Sequence, residues 1–101
     1  MDLQRKLYVF NQCIINNYYK GQGISPHIDV TSYGGVIGCF TLGSGAIMKF
    51  SYGDEDVEIY VKPNSVYIMS GDSRYKWKHS MPVKKTRKDR RVSITFRNVP
   101  V

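Results

Sequence analysis

The sequence predicts an all-β domain, a double-stranded β-helix in which two facing sheets make a jelly-roll, cupin-like barrel. Three observations predict it. Apolar residues at helical spacing are scarce, whereas short runs rich in Val, Ile, Tyr and Phe recur between Gly, Pro, Asn and Asp punctuation. Those runs number about seven or eight, as many as a jelly roll needs. Finally, 101 residues without an internal repeat or low-complexity linker leave room for one core, so 1–101 reads as a single domain.

Leu7 to Tyr19 reads as one strand, or two with a break, and Lys20-Gly21-Gln22-Gly23 as the turn after it. An extended segment, Ile24-Ser25-Pro26-His27-Ile28-Asp29, follows, and then a loop from Thr31 to Gly35. Val36 to Leu42 is a strongly apolar strand, separated by Gly43-Ser44-Gly45 from a strand over Ala46 to Tyr52. The turn Gly53-Asp54-Glu55-Asp56 leads into Val57 to Val61, whose alternation suits a half-buried strand. Pro63-Asn64 turns the chain into a strand from Ser65 to Ser70, and Gly71-Asp72 turns it again into a strand from Arg74 to His79. After a basic loop, Val92 to Arg97 closes the sheet.

Three of these segments carry chemistry. His27 and Asp29 lie two residues apart, so an extended backbone points both the same way. An imidazole and a carboxylate on one face are two of the three ligands of a 2-His-1-carboxylate facial triad, the site that binds non-haem Fe(II) and leaves positions open. The third must be a histidine, and His79 is the one other in the chain; 79 − 27 = 52 residues suffice for several strands to bring it back. In Arg91-Val92-Ser93-Ile94-Thr95-Phe96-Arg97 the apolar residues alternate with Arg91, Ser93, Thr95 and Arg97. That polar face either clamps a short dicarboxylate between two guanidiniums or belongs to an amphipathic edge strand in water. Asn16 and Tyr18 also share a face and offer an amide and a phenol to a ligand's oxygens; the plainer reading is a turn and a packed aromatic.

Charge and cysteine content narrow the rest. The formal charge is +7, and from Arg74 to Arg97 ten Lys and Arg stand against one acid, Asp89. Such one-sided charge favours a polyanion such as nucleic acid, although a run like Lys84-Lys85-Thr86-Arg87-Lys88-Asp89-Arg90 also suits a solvated loop. Cys13 and Cys39 sit in apolar runs and read as buried free thiols. No apolar stretch has a membrane span's length and no signal-peptide core is present, which points to a soluble intracellular protein, cytoplasmic or nuclear, and expected to be a monomer.

Taken together, Asn16-Asn17-Tyr18, then His27-Ile28-Asp29 with 27 − 18 = 9, then His79, then Arg91 to Arg97 with five residues between resemble the AlkB family of Fe(II)/2-oxoglutarate dioxygenases. The resemblance covers nearly the whole chain. Gly21 to Asp29 and Ser70 to His79 look most like the branch that hydroxylates a modified wobble uridine in tRNA. It implies Fe(II) held by His27, Asp29 and His79, which serve as both metal ligands and catalytic residues, and 2-oxoglutarate consumed with O2 to give succinate. Asn16, Tyr18, Arg91, Ser93 and Arg97 become co-substrate positions: Arg91 with Tyr18 at the distal C5 carboxylate, Asn16 and Arg97 at the C1 end. Trp77, two residues before His79, is expected to orient its imidazole. Two departures stand out: the N-terminal region that carries the family's lid is expected to be missing, and Thr31 replaces a carboxylate by which base-demethylating members read the base.

The implied function is hydroxylation or oxidative demethylation of a modified base, with RNA or tRNA favoured over DNA because single-stranded bases need no extrusion from a duplex. The alternatives are a protein-directed dioxygenase and a basic nucleic-acid-binding β domain that has lost catalysis.

Overall fold

A computed structural model describes residues 10–19, 21–82 and 90–100. Leu7 to Val9 of the expected first strand, Lys20 of the following turn, and Lys84 to Asp89 of the basic loop lie outside the described residues. Eight strands are present: β1 (Gln12–Tyr18), β2 (Ile24–His27), β3 (Val36–Gly43), β4 (Ala46–Tyr52), β5 (Glu55–Val61), β6 (Val66–Ser70), β7 (Lys78–Met81) and β8 (Arg91–Arg97). A short helix, α1 (Gly71–Tyr75), lies between β6 and β7.

The strands form two four-stranded sheets, in order β1-β8-β3-β6 and β2-β7-β4-β5, with every pairing antiparallel. Only β4 and β5 are sequential neighbours, joined at Gly53, whose φ of 57° a side chain would strain. Every other connection crosses from one sheet to the other, which is the winding of a double-stranded β-helix. Ala46, Met48, Val61 and Met81 form the buried centre, with Tyr18, Ile24, Phe50 and Tyr67 packed against it.

Period-two alternation sorts the first sheet. Ile14, Asn16 and Tyr18 of β1 face the second sheet, and Cys13, Ile15 and Asn17 face away. Cys13 is therefore exposed, contrary to the buried thiol expected from its apolar neighbours, whereas Cys39 is buried; both are free. The strand expected over Arg74 to His79 is also corrected. Its first two residues, Arg74 and Tyr75, end α1, which is started by a local bond network in which Ser73 Oγ accepts from the Ser70 amide at 3.1 Å and donates to the Ser70 carbonyl at 2.8 Å. Only from Lys78 onward does the chain extend.

Candidate metal and co-substrate site

The two histidines meet through a register irregularity. Ile24 pairs with Met81 and His27 with His79, so 27 − 24 = 3 residues of β2 oppose 81 − 79 = 2 of β7. One extra residue is a β-bulge, and it corrects the parity: Ile24 and His27, three apart, end on the same inward face. Pro26 sits inside this stretch of an edge strand, where its missing N–H costs no ladder bond on the open side. The imidazoles of His27 and His79 thus lie side by side, ring centroids 4.2 Å apart.

Asp29 follows two residues after His27. Its Oδ1 lies 3.4 Å from His27 Nε2 and 3.5 Å from His79 Nε2, and one ligand atom from each residue falls within 4.8 Å of the others. His27 Nδ1 is 2.9 Å from the Ser25 carbonyl, which can only accept, so Nδ1 carries the proton and the Nε2 lone pair faces the centre. Burial, reinforced by His27 and by Arg74 against the opposing pull of Asp29, lowers the His79 pKa to about 4. Its imidazole is consequently neutral at physiological pH, the form that binds a metal.

The other carboxylate oxygen is already committed. Asp29 Oδ2 accepts from Arg97 at 3.0 Å, and Arg97 Nε also donates to Gln12 Oε1 at 2.9 Å. A second arginine fixes the backbone around Asp29. Arg74, 2 % exposed, donates to the carbonyls of Asp29 (3.2 Å), Val30 (2.7 Å) and Gly34 (3.1 Å), while its guanidinium stacks 4.5 Å from the Tyr75 ring. This arginine was not singled out from the sequence; the Ser70-x-x-Ser73 spacing was the available sign that a helix starts beside it.

The β1–β8 ladder assembles the remaining positions. Asn16 pairs with Ser93, Tyr18 with Arg91 and Gln12 with Arg97. Arg91 is 1 % exposed; it donates to Thr41 Oγ1 at 3.0 Å, contacts Met81 Sδ at 4.0 Å and lies 5.6 Å from the Tyr18 ring centre. Its Nε is buried with no hydrogen-bond partner among the described residues. A buried guanidinium with an unmet donor is costly unless an anion completes it. One cavity of about 130 Å³ is lined by His27, Asp29 and His79 together with Asn16, Tyr18, Arg91, Ser93 and Arg97. All eight residues singled out from the sequence therefore share one chamber. Trp77 does not: it stacks on Tyr52 at 5.6 Å and lines a separate groove, while Phe50 lies against His79 at 6.3 Å. Tyr67 also lines this chamber and Thr41 accepts from Arg91, and neither carried a motif.

The donor set fits Fe(II): two imidazole nitrogens and one carboxylate oxygen lie within 4.8 Å of one another. The unmet donor of Arg91 fits the far carboxylate of a 2-oxo diacid.

Comparison with known proteins agrees with this geometry. The model of the 2OG-Fe(II) oxygenase superfamily matches residues 2–97. An uncharacterized protein of Acanthamoeba polyphaga mimivirus is 43 % identical over 101 residues, covering 88 % of this chain and 48 % of that protein. The tRNA (carboxymethyluridine(34)-5-O)-methyltransferase alkbh8 of Xenopus tropicalis is 39 % identical over 77 residues, covering 74 % of this chain and 12 % of the relative. The chain thus spans about half the length, or less, of these curated relatives. Among solved structures, OsALKBH1 superposes with a TM-score of 0.76 at 19 % identity, over 90 % of this chain and 49 % of that one. An RmlC-like cupin from Desulfovibrio desulfuricans gives 0.52 at 17 % identity, over 83 % and 68 %, and both likenesses concern the fold. With the family model matching nearly its whole length, the chain belongs to the 2OG-Fe(II) oxygenase superfamily and to the AlkB family within it.

Proposed function

We propose that residues 1–101 form the catalytic domain of a dioxygenase that hydroxylates or oxidatively demethylates a modified base in nucleic acid, with RNA favoured. One observation carries the reading: a preformed His-Asp-His centre and a buried arginine with an unmet donor open into the same cavity. His27, Asp29 and His79 are the metal ligands. Arg91, with Tyr18, binds the distal carboxylate of 2-oxoglutarate, and Asn16, Ser93 and Arg97 bind toward the metal end. Bound Fe(II), with the 2-oxo acid and O2, supplies the oxidising power for attack on a substrate C–H bond. The chain's own part is to orient and to exclude water. Arg97 holds Asp29 Oδ2 away so that Oδ1 alone faces the histidines. Ser25 keeps His27 in the tautomer that presents Nε2.

Support for a nucleic-acid substrate comes from three sides. The alkbh8 relatives are named for action on tRNA, although an Arabidopsis thaliana relative, 31 % identical, is named for repair of alkylated DNA. The net charge of +7 suits a polyanion of either kind. His27 keeps 43 % of its side chain exposed, which leaves the centre open to an extruded or unpaired base.

The test is an anaerobic titration with Fe(II) and then 2-oxoglutarate, followed by measurement of succinate with modified tRNA and with alkylated single-stranded DNA. A visible charge-transfer band that is lost in both His79→Ala and Arg91→Ala, with succinate formed on tRNA, is the expected result. Folded protein without the band would sink the catalytic reading and leave a nucleic-acid-binding domain. Succinate formed on DNA alone would reverse the substrate preference.

A further inference from the structure

The inner end of the co-substrate cavity is closed by a residue that no motif marks. Tyr67 lies on β6 opposite Cys39 of β3 and packs against the buried cluster of Met48 and Met81. Arg91 reaches Met81 Sδ, so the tyrosine and the guanidinium flank one apolar cluster. Beyond it runs a second space, an apolar groove of about 290 Å³ between the β5 and β6 edges, lined by Val57, Ile59, Val61 and Trp77. Three residues line both spaces: Met48, Tyr67 and Met69. They are the partition between a polar chamber and an apolar groove. Of the three, Tyr67 alone carries a hydrogen-bond donor.

Its environment keeps that hydroxyl protonated and hydrogen-bonded to Cys39, so a carboxylate would compete with the thiol for its proton. Burial, then the neighbouring Cys39, pushes the phenol's pKa up, while Arg91 pulls it down and Tyr18 pushes it further up. The hydroxyl is therefore protonated and within electrostatic reach of both Arg91 and Tyr18. A carboxylate at this end meets a guanidinium and two phenols on one side; past the partition it would meet a mainly apolar lining that includes Ser73 but no charged side chain among the described residues, where an unpaired charge is disfavoured.

We propose that Tyr67 is a specificity-determining residue: its ring closes the inner end of the co-substrate cavity and its hydroxyl is a further donor, beside Arg91, for the distal carboxylate. The site then takes a five-carbon 2-oxo dicarboxylate and rejects a six-carbon one, whose extra methylene would drive its carboxylate into the partition. This rests on assigning the cavity to a 2-oxo dicarboxylate.

The experiment measures anaerobic binding of 2-oxoglutarate and 2-oxoadipate to the Fe(II)-loaded protein through the charge-transfer band, for wild type, Tyr67→Phe and Tyr67→Leu. Wild type is expected to prefer 2-oxoglutarate by about tenfold or more, the discrimination one methylene gives in a fitted pocket. Tyr67→Phe keeps the ring and should weaken 2-oxoglutarate about tenfold, as for a hydrogen bond lost to a charged group. Tyr67→Leu breaches the partition and should cut the preference by a similar factor or reverse it. Unchanged affinity in Tyr67→Phe together with an unchanged preference in Tyr67→Leu overturns the inference while leaving the co-substrate assignment intact. A wild type that binds Fe(II) but neither acid overturns the assignment itself. Should Tyr67→Leu fail to fold by thermal melting, the isosteric Tyr67→Phe decides.

Discussion

Arg74 and His79 show how single residues set the readiness of the metal centre. Arg74 is a buried cation whose recorded hydrogen bonds all go to main-chain carbonyls, one of them that of Asp29. A lysine has one nitrogen where this fork has three, so Arg74→Lys leaves carbonyls unmet. Its expected cost is about 3 kcal/mol of stability, read from denaturant unfolding, with weaker Fe(II) binding because the Asp29 backbone is freed. The depressed pKa of His79 makes a pH prediction whose sign follows from linkage. Between the unfolded value of 6.5 and the folded value of about 4, the unfolded chain binds more protons. This residue's contribution makes the metal-free protein lose stability as pH falls from about 6.5 to 4, by an amount on the order of 3 kcal/mol, and has no effect above about pH 7.5. Melting temperatures of metal-free wild type and His79→Gln across this range, with the variant showing the flatter profile, check it.

At the scale of elements, two irregularities place the site. The β2 bulge brings His27 opposite His79, and α1 delivers Arg74 beneath the loop after Asp29. A third is the turn after β3. Gly43 has φ of 79°, and a Cβ built there would lie 2.6 Å from the Arg90 carbonyl, in the residue before Arg91. Main chain cannot yield as a flexible side chain does. Gly43→Ala is expected to cost roughly 2–4 kcal/mol and to weaken 2-oxoglutarate binding more than Fe(II) binding, because it displaces the β8 start rather than β2 or β7. Parallel titrations of the two ligands distinguish this from general unfolding.

For the whole molecule, charge and polarity are distributed differently from their linear pattern. Of the ten basic residues from Arg74 to Arg97, at least three are withdrawn from any external partner: Arg74 and Arg91 are buried and Arg97 is paired with Asp29. Single-stranded RNA binding should fall with salt, with a slope of log K against log salt of about −3 if four phosphates are contacted. His27→Ala should leave that slope unchanged, since the base-facing centre adds no phosphate contact; filter binding across salt concentrations measures both. The first sheet is largely apolar on its outward side. Its outward rows run Ile15, Ile94, Phe40, Val66 and Cys13, Phe96, Gly38, Ile68, with Phe10 resting on Phe96 at 6.1 Å.

The sequence by itself determined the all-β class and most strand positions, because period-two alternation and turn residues act locally, and its motif spacing singled out His27, Asp29, His79, Arg91 and Arg97 as candidates. It could not say which side of β8 faces inward. Val92, Ile94 and Phe96 would conventionally be the core face, yet the structure turns Arg91, Ser93, Thr95 and Arg97 into the barrel. That choice belongs to tertiary structure, since only the facing sheet brings Asp29 to Arg97 and Thr41 to Arg91. The same holds for Arg74, Tyr67 and the exposed Cys13. Arg74 bonds Asp29, 74 − 29 = 45 residues away, Tyr67 sits opposite Cys39, 67 − 39 = 28 away, and Cys13 depends on which sheet face is covered; no local pattern encodes any of these.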